Sequence, residues 1–136
     1  MSSAERTLHV TRTTSTAHRL LHYDGACGNV HGHNLDWEVE VALSMADAGE
    51  ANMPVDLKDI ADTLDRLDHA TCLNADDTLT EAPLGQVVTF DGDPTCEHLS
   101  QRMAEWVHDL APAIRYVAVT VHETGKYGVS ATYAGE

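Results

Sequence analysis

Residues 31–44 carry the pattern that most constrains the fold. Trp37, Val39, Val41 and Leu43 alternate with Glu38, Glu40 and Ala42. A period of two sends one set of side chains to each face of an extended chain, so this stretch reads as a half-buried antiparallel strand. Its apolar face needs a cover, and two amphipathic segments supply one. Leu57, Ile60, Ala61, Leu64 and Leu67 recur at helical spacing behind Asp56, a good N-cap. Leu99, Met103, Trp106, Val107 and Leu110 do the same after Asp93-Pro94-Thr95, where proline suits a first turn, and Pro112 stops the run.

Three more strands are predicted. Residues 6–12 alternate around Leu8 and Val10, and residues 116–123 and 127–134 flank Thr124-Gly125-Lys126 as a hairpin. Residues 14–30, broken by Gly25 and Gly28, read as a loop, and residues 47–54 as a turn. Residues 73–92 form a long connection with a short extended piece at 86–90. The order ββααββ predicts an α+β domain spanning 1–136: a four-stranded antiparallel sheet with two helices on one face.

Composition narrows the partners. The chain has 136 residues, 43% of them hydrophobic, enough for an ordinary core. Twenty-two acidic residues against eight basic ones give a net charge of −14. That field repels nucleic-acid phosphates and anionic membranes alike, so neither is an expected partner. Many carboxylates with only two lysines point to a protein kept soluble in concentrated salt, where the repulsion is screened within about 3 Å at 1 M; the alternative is an ordinary acidic protein. No apolar run approaches the roughly 20 residues that span a bilayer, and residues 1–7 lack the apolar stretch of a secretory signal. A cytoplasmic protein is expected, and its three cysteines form no disulfide framework.

Nine histidines are many for this length. His31-Gly32-His33 lies on the predicted central strand, where residues two apart share a face and can reach one ion. His18 is near enough in sequence for the loop to return a third imidazole. Three histidines with an open position make a catalytic zinc geometry, whereas a structural zinc would take a fourth ligand, for which Cys27 is the candidate. Beside a dication Cys27 would otherwise be a thiolate fit for base or nucleophile work. Asp68-His69 ends the first helix, and a carboxylate beside an imidazole can tune it for proton transfer. Glu123, at a strand end, can accept two N–H donors from a guanidine-like edge. Thr95 and Glu97 read as helix-capping residues, and Cys72 and Cys96 as small buried apolar groups. The signatures of zinc deaminases and of HExxH proteases are missing.

Taken together and in order, these residues resemble the 6-pyruvoyl-tetrahydropterin synthase family. The matching segments are Ala17-His18-Arg19-Leu20, Cys27-x-x-x-His31-Gly32-His33-Asn34, Leu67-Asp68-His69 with Leu73-Asn74, Pro94-Thr95-x-Glu97, Glu123-Thr124 and Tyr133-x-Gly135-Glu136. They cover nearly the whole chain. The three-residue gap between Cys27 and His31 resembles the 6-carboxy-tetrahydropterin synthase branch, which serves 7-deazaguanine (queuosine and archaeosine) biosynthesis. The chain departs from the family pattern in three places. Thr14 stands where an aromatic residue is usual, residues 56–68 are fewer than usual, and one extra residue lies between Asp68 and Leu73.

The resemblance implies that His18, His31 and His33 bind zinc, that Cys27 is the general base with Asp68 and His69 as its acid–base partners, and that Glu123 anchors a pterin, with Thr95 beside it. It implies 7,8-dihydroneopterin triphosphate as substrate, with 6-carboxytetrahydropterin, acetaldehyde and triphosphate as products. It also implies a homohexamer, two stacked trimers forming a barrel, with active sites between subunits. Arg19 and Lys126, the cations nearest these motifs, are expected to receive the triphosphate. The alternatives are the pyruvoyl branch, which eliminates triphosphate from the same substrate, and a non-catalytic zinc- and pterin-binding module.

Overall fold

The computed structural model describes residues 5–135, so Glu136 of the closing motif lies outside the described residues. Six strands and two helices follow one another as β1 (Glu5–His18), β2 (His31–Ser44), α1 (Leu57–Asp65), β3 (Ala70–Asn74), β4 (Val87–Phe90), α2 (Cys96–His108), β5 (Ile114–Glu123) and β6 (Tyr127–Tyr133). They make one sheet in the order β4-β3-β1-β2-β5-β6. No helix among the described residues is long and apolar enough to cross a membrane.

The antiparallel half follows the predicted alternation. Leu35, Trp37, Val39, Val41 and Leu43 of β2 and Val117, Val119 and Val121 of β5 are all buried. Ile60 and Leu64 from α1, and Leu99, Met103 and Val107 from α2, pack on that face. Each such side chain contributes roughly 1.5–3 kcal/mol on leaving water, so this face is the main stabilising unit. Asp56 caps α1 by accepting the Lys58 N–H, and Thr95 caps α2 by accepting that of His98. The β5–β6 hairpin closes through the Lys126 N–H on the Glu123 carbonyl, with Thr124 and Gly125 both at positive φ. A two-residue turn of that hand matches the twist of its strands.

The sheet is larger than the expected four antiparallel strands. It is mixed, because β3 pairs parallel with β1, and β4 parallel with β3. All five residues of β3 are buried, so the strand carries no alternation, as in parallel sheets covered on both faces. The extended piece expected at 86–90 is β4.

The second correction concerns β1, which continues through the expected loop as far as His18. Its inner face there bears Thr14 and Thr16 rather than apolar residues. Their hydroxyls bond each other at 2.8 Å, Thr14 Oγ1 accepts the Trp37 indole N–H, and Thr16 Oγ1 donates to the Leu67 carbonyl. A satisfied hydroxyl is an acceptable core group. Thr14, where the family has an aromatic residue, thus serves Trp37. The strand extension places His18 directly opposite His31 across the β1–β2 ladder.

Candidate active site

Three imidazoles converge at the end of the β1–β2 ladder. The ring centroids of His18, His31 and His33 lie 4.5, 5.2 and 4.8 Å apart. One nitrogen from each falls within 4.8 Å of the others. The Nδ1 atoms are engaged elsewhere: His18 with the Pro94 carbonyl at 2.8 Å, His31 with the Asn29 carbonyl at 2.7 Å, and His33 with the Thr124 hydroxyl at 3.3 Å. A carbonyl can only accept, so Nδ1 of His18 and His31 is the protonated nitrogen and Nε2 carries the lone pair. Nε2 of His31 and of His33 is buried and has no hydrogen-bond partner. A buried acceptor without a donor is costly, and a cation between the three rings would satisfy it. Burial, helped by the two neighbouring imidazoles, holds His18 below the ordinary histidine range. It is therefore neutral and able to ligate. The donor set fits a three-histidine zinc site, with the outer nitrogens fixed as second-sphere bonds fix them.

Cys27 sits in a one-turn helix at residues 26–28, between His18 and His31. The turn is tied back by Leu20 N–H to the Cys27 carbonyl at 3.0 Å. Gly28 is required there, because a Cβ would stand 2.6 Å from the Tyr23 carbonyl oxygen. Cys27 lines a cavity of about 330 Å³ together with His18, His31, Thr95, Glu97, Glu123 and Tyr127. Two of the three predicted ligands, with Cys27 and Glu123, thus surround one space large enough for a bicyclic ring, while His33 lines the neighbouring depression.

Glu123 ends β5, with one carboxylate oxygen 3.6 Å from His33 Nε2. The other oxygen accepts the Cys96 S–H at 3.2 Å. Burial, and secondarily Glu123, push the Cys96 thiol up to about 12, so it stays a donor. The sequence reading assigned Cys96 only a packing role. The signal for more was its position directly after Pro94-Thr95, at the first residue of α2.

Asp68 and His69 lie apart from this cavity. His69, at φ 56°, turns the chain from α1 into β3, and its N–H bonds the Ser15 carbonyl at 2.7 Å. Asp68 accepts the Ser15 N–H at 2.9 Å and stands 3.0 Å from His69 Nδ1. The Ser15 N–H, more than His69 itself, holds the Asp68 carboxyl below its ordinary value. The His69 ring is 81% exposed. It borders a second depression, of about 550 Å³, which is also lined by His33 of the imidazole cluster, with Ser15, Ala17, Gly32, Asn34 and Thr124. The two depressions share no residue.

The expected triphosphate cations have separate situations. Lys126 is exposed in the hairpin turn. Arg19 instead gives Nε–H to the Gly28 carbonyl at 3.0 Å and Nη1–H to Asp77 at 3.2 Å.

Comparison with known proteins agrees with this geometry. Residues 7–136 match the family model described as 6-pyruvoyl tetrahydropterin synthase. A protein of Halobacterium salinarum named probable 6-carboxy-5,6,7,8-tetrahydropterin synthase is 34% identical over 90% of this chain and 87% of its own. The fold is similar to that of 6-pyruvoyl tetrahydropterin synthase from Plasmodium vivax, with a TM-score of 0.68 at 14% identity, covering 96% of this chain and 99% of that one. It is also similar to the Caenorhabditis elegans 6-pyruvoyl tetrahydropterin synthase, with a TM-score of 0.59 at 24% identity over 100% of both chains. The chain belongs to the 6-pyruvoyl tetrahydropterin synthase family.

Proposed function

We propose that this protein is a cytoplasmic 6-carboxy-5,6,7,8-tetrahydropterin synthase, a zinc-dependent carbon–carbon lyase. It takes 7,8-dihydroneopterin triphosphate and water to 6-carboxytetrahydropterin, acetaldehyde and triphosphate, on the route to 7-deazaguanine nucleosides. The observation that carries the reading is the three-imidazole cluster, two of whose rings line one cavity with Cys27 and Glu123. The relative from Halobacterium salinarum and the three-residue spacing from Cys27 to His31 support the carboxy branch.

His18, His31 and His33 would hold the zinc, through the Nε2 atoms that their outer bonds leave open. Zinc there would supply Lewis acidity, lowering the pKa of substrate side-chain hydroxyls and polarising a carbonyl. Glu123 receives the N–H edge of the pterin, with the Cys96 S–H fixing one of its oxygens and Thr95 beside it. Cys27 takes a proton from the substrate side chain on one side, and the Asp68–His69 pair exchanges protons on the other. Within one chain Cys27 and His69 border different depressions, and the exposed Asp68–His69 pair is read as completing the site of a neighbouring copy. Edge strands β4 and β6 each have one side free for such assembly, in keeping with a barrel-shaped homohexamer. Lys126, exposed in the hairpin turn, is assigned to the triphosphate, and concentrated salt screens the approach of this anion to so acidic a protein.

Incubation with dihydroneopterin triphosphate and zinc in molar KCl, with direct assay of acetaldehyde, tests the reading. Stoichiometric acetaldehyde is expected. Substrate loss with triphosphate release but no acetaldehyde would assign the pyruvoyl reaction instead. Zinc and pterin binding without turnover would leave a binding module.

A further inference from the structure

Arg19 follows the first imidazole ligand and leaves β1 toward the turn that carries Cys27. Its guanidinium is a bridge. Nε–H meets the Gly28 carbonyl, one residue beyond Cys27, at 3.0 Å. Nη1–H meets Asp77 Oδ1 at 3.2 Å, and the Asp77 side chain is fully buried while that of Arg19 is 28% exposed. Asp77 is itself fixed, since the same oxygen accepts the Leu79 N–H at 2.9 Å. The carboxylate therefore has a set position in the chain after β3, and the planar fork transmits that position to the Gly28 carbonyl. A three-residue helical turn has little rigidity of its own. A bridged carbonyl one residue beyond Cys27 limits how far that residue moves relative to the imidazoles.

We infer that Arg19 is a positioning residue that holds the Cys27 turn in register with the three-histidine cluster, with Asp77 as its buried anchor. Its role toward the reaction rests on the reading of Cys27 as the base. The alternative role, reception of the triphosphate, would engage the same guanidinium in binding, so the two roles separate kinetically. A displaced general base lowers kcat, because about 1 Å of misplacement costs on the order of 100-fold. A lost anion contact raises KM and does so most at low salt.

The test compares wild type with Arg19→Gln and Asp77→Asn. Asp77→Asn keeps an acceptor for Leu79 N–H while removing the charge that holds the guanidinium. Four quantities are measured: kcat and KM, each at low and high KCl, zinc content, and the rate of Cys27 alkylation by iodoacetamide, read by mass spectrometry of that peptide. For Arg19→Gln the inference expects kcat down about 10- to 100-fold, KM within about twofold, zinc retained and Cys27 alkylation changed severalfold. Asp77→Asn should move the same quantities in the same direction by less. If Arg19→Gln does not fold, Asp77→Asn decides alone. A raised KM with unchanged kcat and alkylation would overturn the inference in favour of the anion role, and so would no change in any quantity. If wild type shows no turnover, the proposed reaction falls while the alkylation rates still decide the clamp: a severalfold change sustains it, and equal rates overturn it.

Discussion

Two histidine sites of this molecule are built in opposite ways. At the end of the β1–β2 ladder, three imidazoles are buried or half-buried, their outer nitrogens engaged and their inner ones turned together. At the α1–β3 corner, His69 stands in solvent with Asp68 as its partner. The first is complete within one chain and pre-organised for a cation. The second is fixed at its backbone by Ser15, with its ring 81% exposed. Under the proposed function, a second copy closes this outward half.

The largest effect should come from the ladder end. His31→Ala should abolish zinc retention and lower turnover by at least about 1,000-fold, measured by metal analysis after dialysis and by acetaldehyde release. Normal zinc content in this variant would break the contrast at its strongest side. Cys27→Ala should keep zinc yet lose turnover by about 100- to 10,000-fold, the range of general acid–base catalysis. Loss of zinc there would instead make Cys27 a structural ligand.

The corner is probed by mixing. His69→Ala alone should keep zinc and lose about 100-fold in turnover. Co-assembled with His31→Ala, it should recover part of the wild-type rate, because mixed neighbours rebuild an intact site. Failure to recover in verified mixed assemblies would mean that His69 acts within its own chain. Smaller still, Cys96→Ala should raise KM about three- to tenfold through a loosened Glu123, with Cys96→Ser restoring it.

The smallest effect concerns pH. The Asp68 and Asp93 carboxyls are both held below their usual range. A group whose pKa falls on folding adds stability above its unfolded value, and that stability is lost as pH falls through the folded value. Asp68→Asn should therefore lower the melting temperature slightly at neutral pH, with the difference from wild type vanishing as pH falls below about 4, where the wild-type carboxyl becomes protonated. A shift of equal size at neutral and at acid pH would contradict this assignment.

The same contrast explains what could be read before any coordinates. The β2 face, both helices and the last hairpin were legible because solvent lies on one side of each and apolar residues on the other. β3 was not, since Ala-Thr-Cys-Leu-Asn is buried throughout and has no period. The end of β1 was missed because threonines, paired by hydroxyl bonds, occupy its inner positions. His31 and His33 announced themselves by a spacing of two. Their alignment with His18 came from the ladder register, and the partition of Cys27 from His69 came from tertiary placement. Cys96 was hidden because its partner, Glu123, is 27 residues away.

The outer bonds of the imidazoles have a genetic consequence. Two of the three are received by main-chain carbonyls, those of Pro94 and Asn29. No side-chain replacement at those positions deletes the acceptor, provided the backbone path is kept. Inheritance of the ligand orientation is thereby largely decoupled from the identity of the residues that provide it. Among these three contacts, only at Thr124, where a hydroxyl does the holding, can a single codon change remove the support of an imidazole outright. Drift in the surrounding loops can thus proceed with little cost to the imidazole cluster.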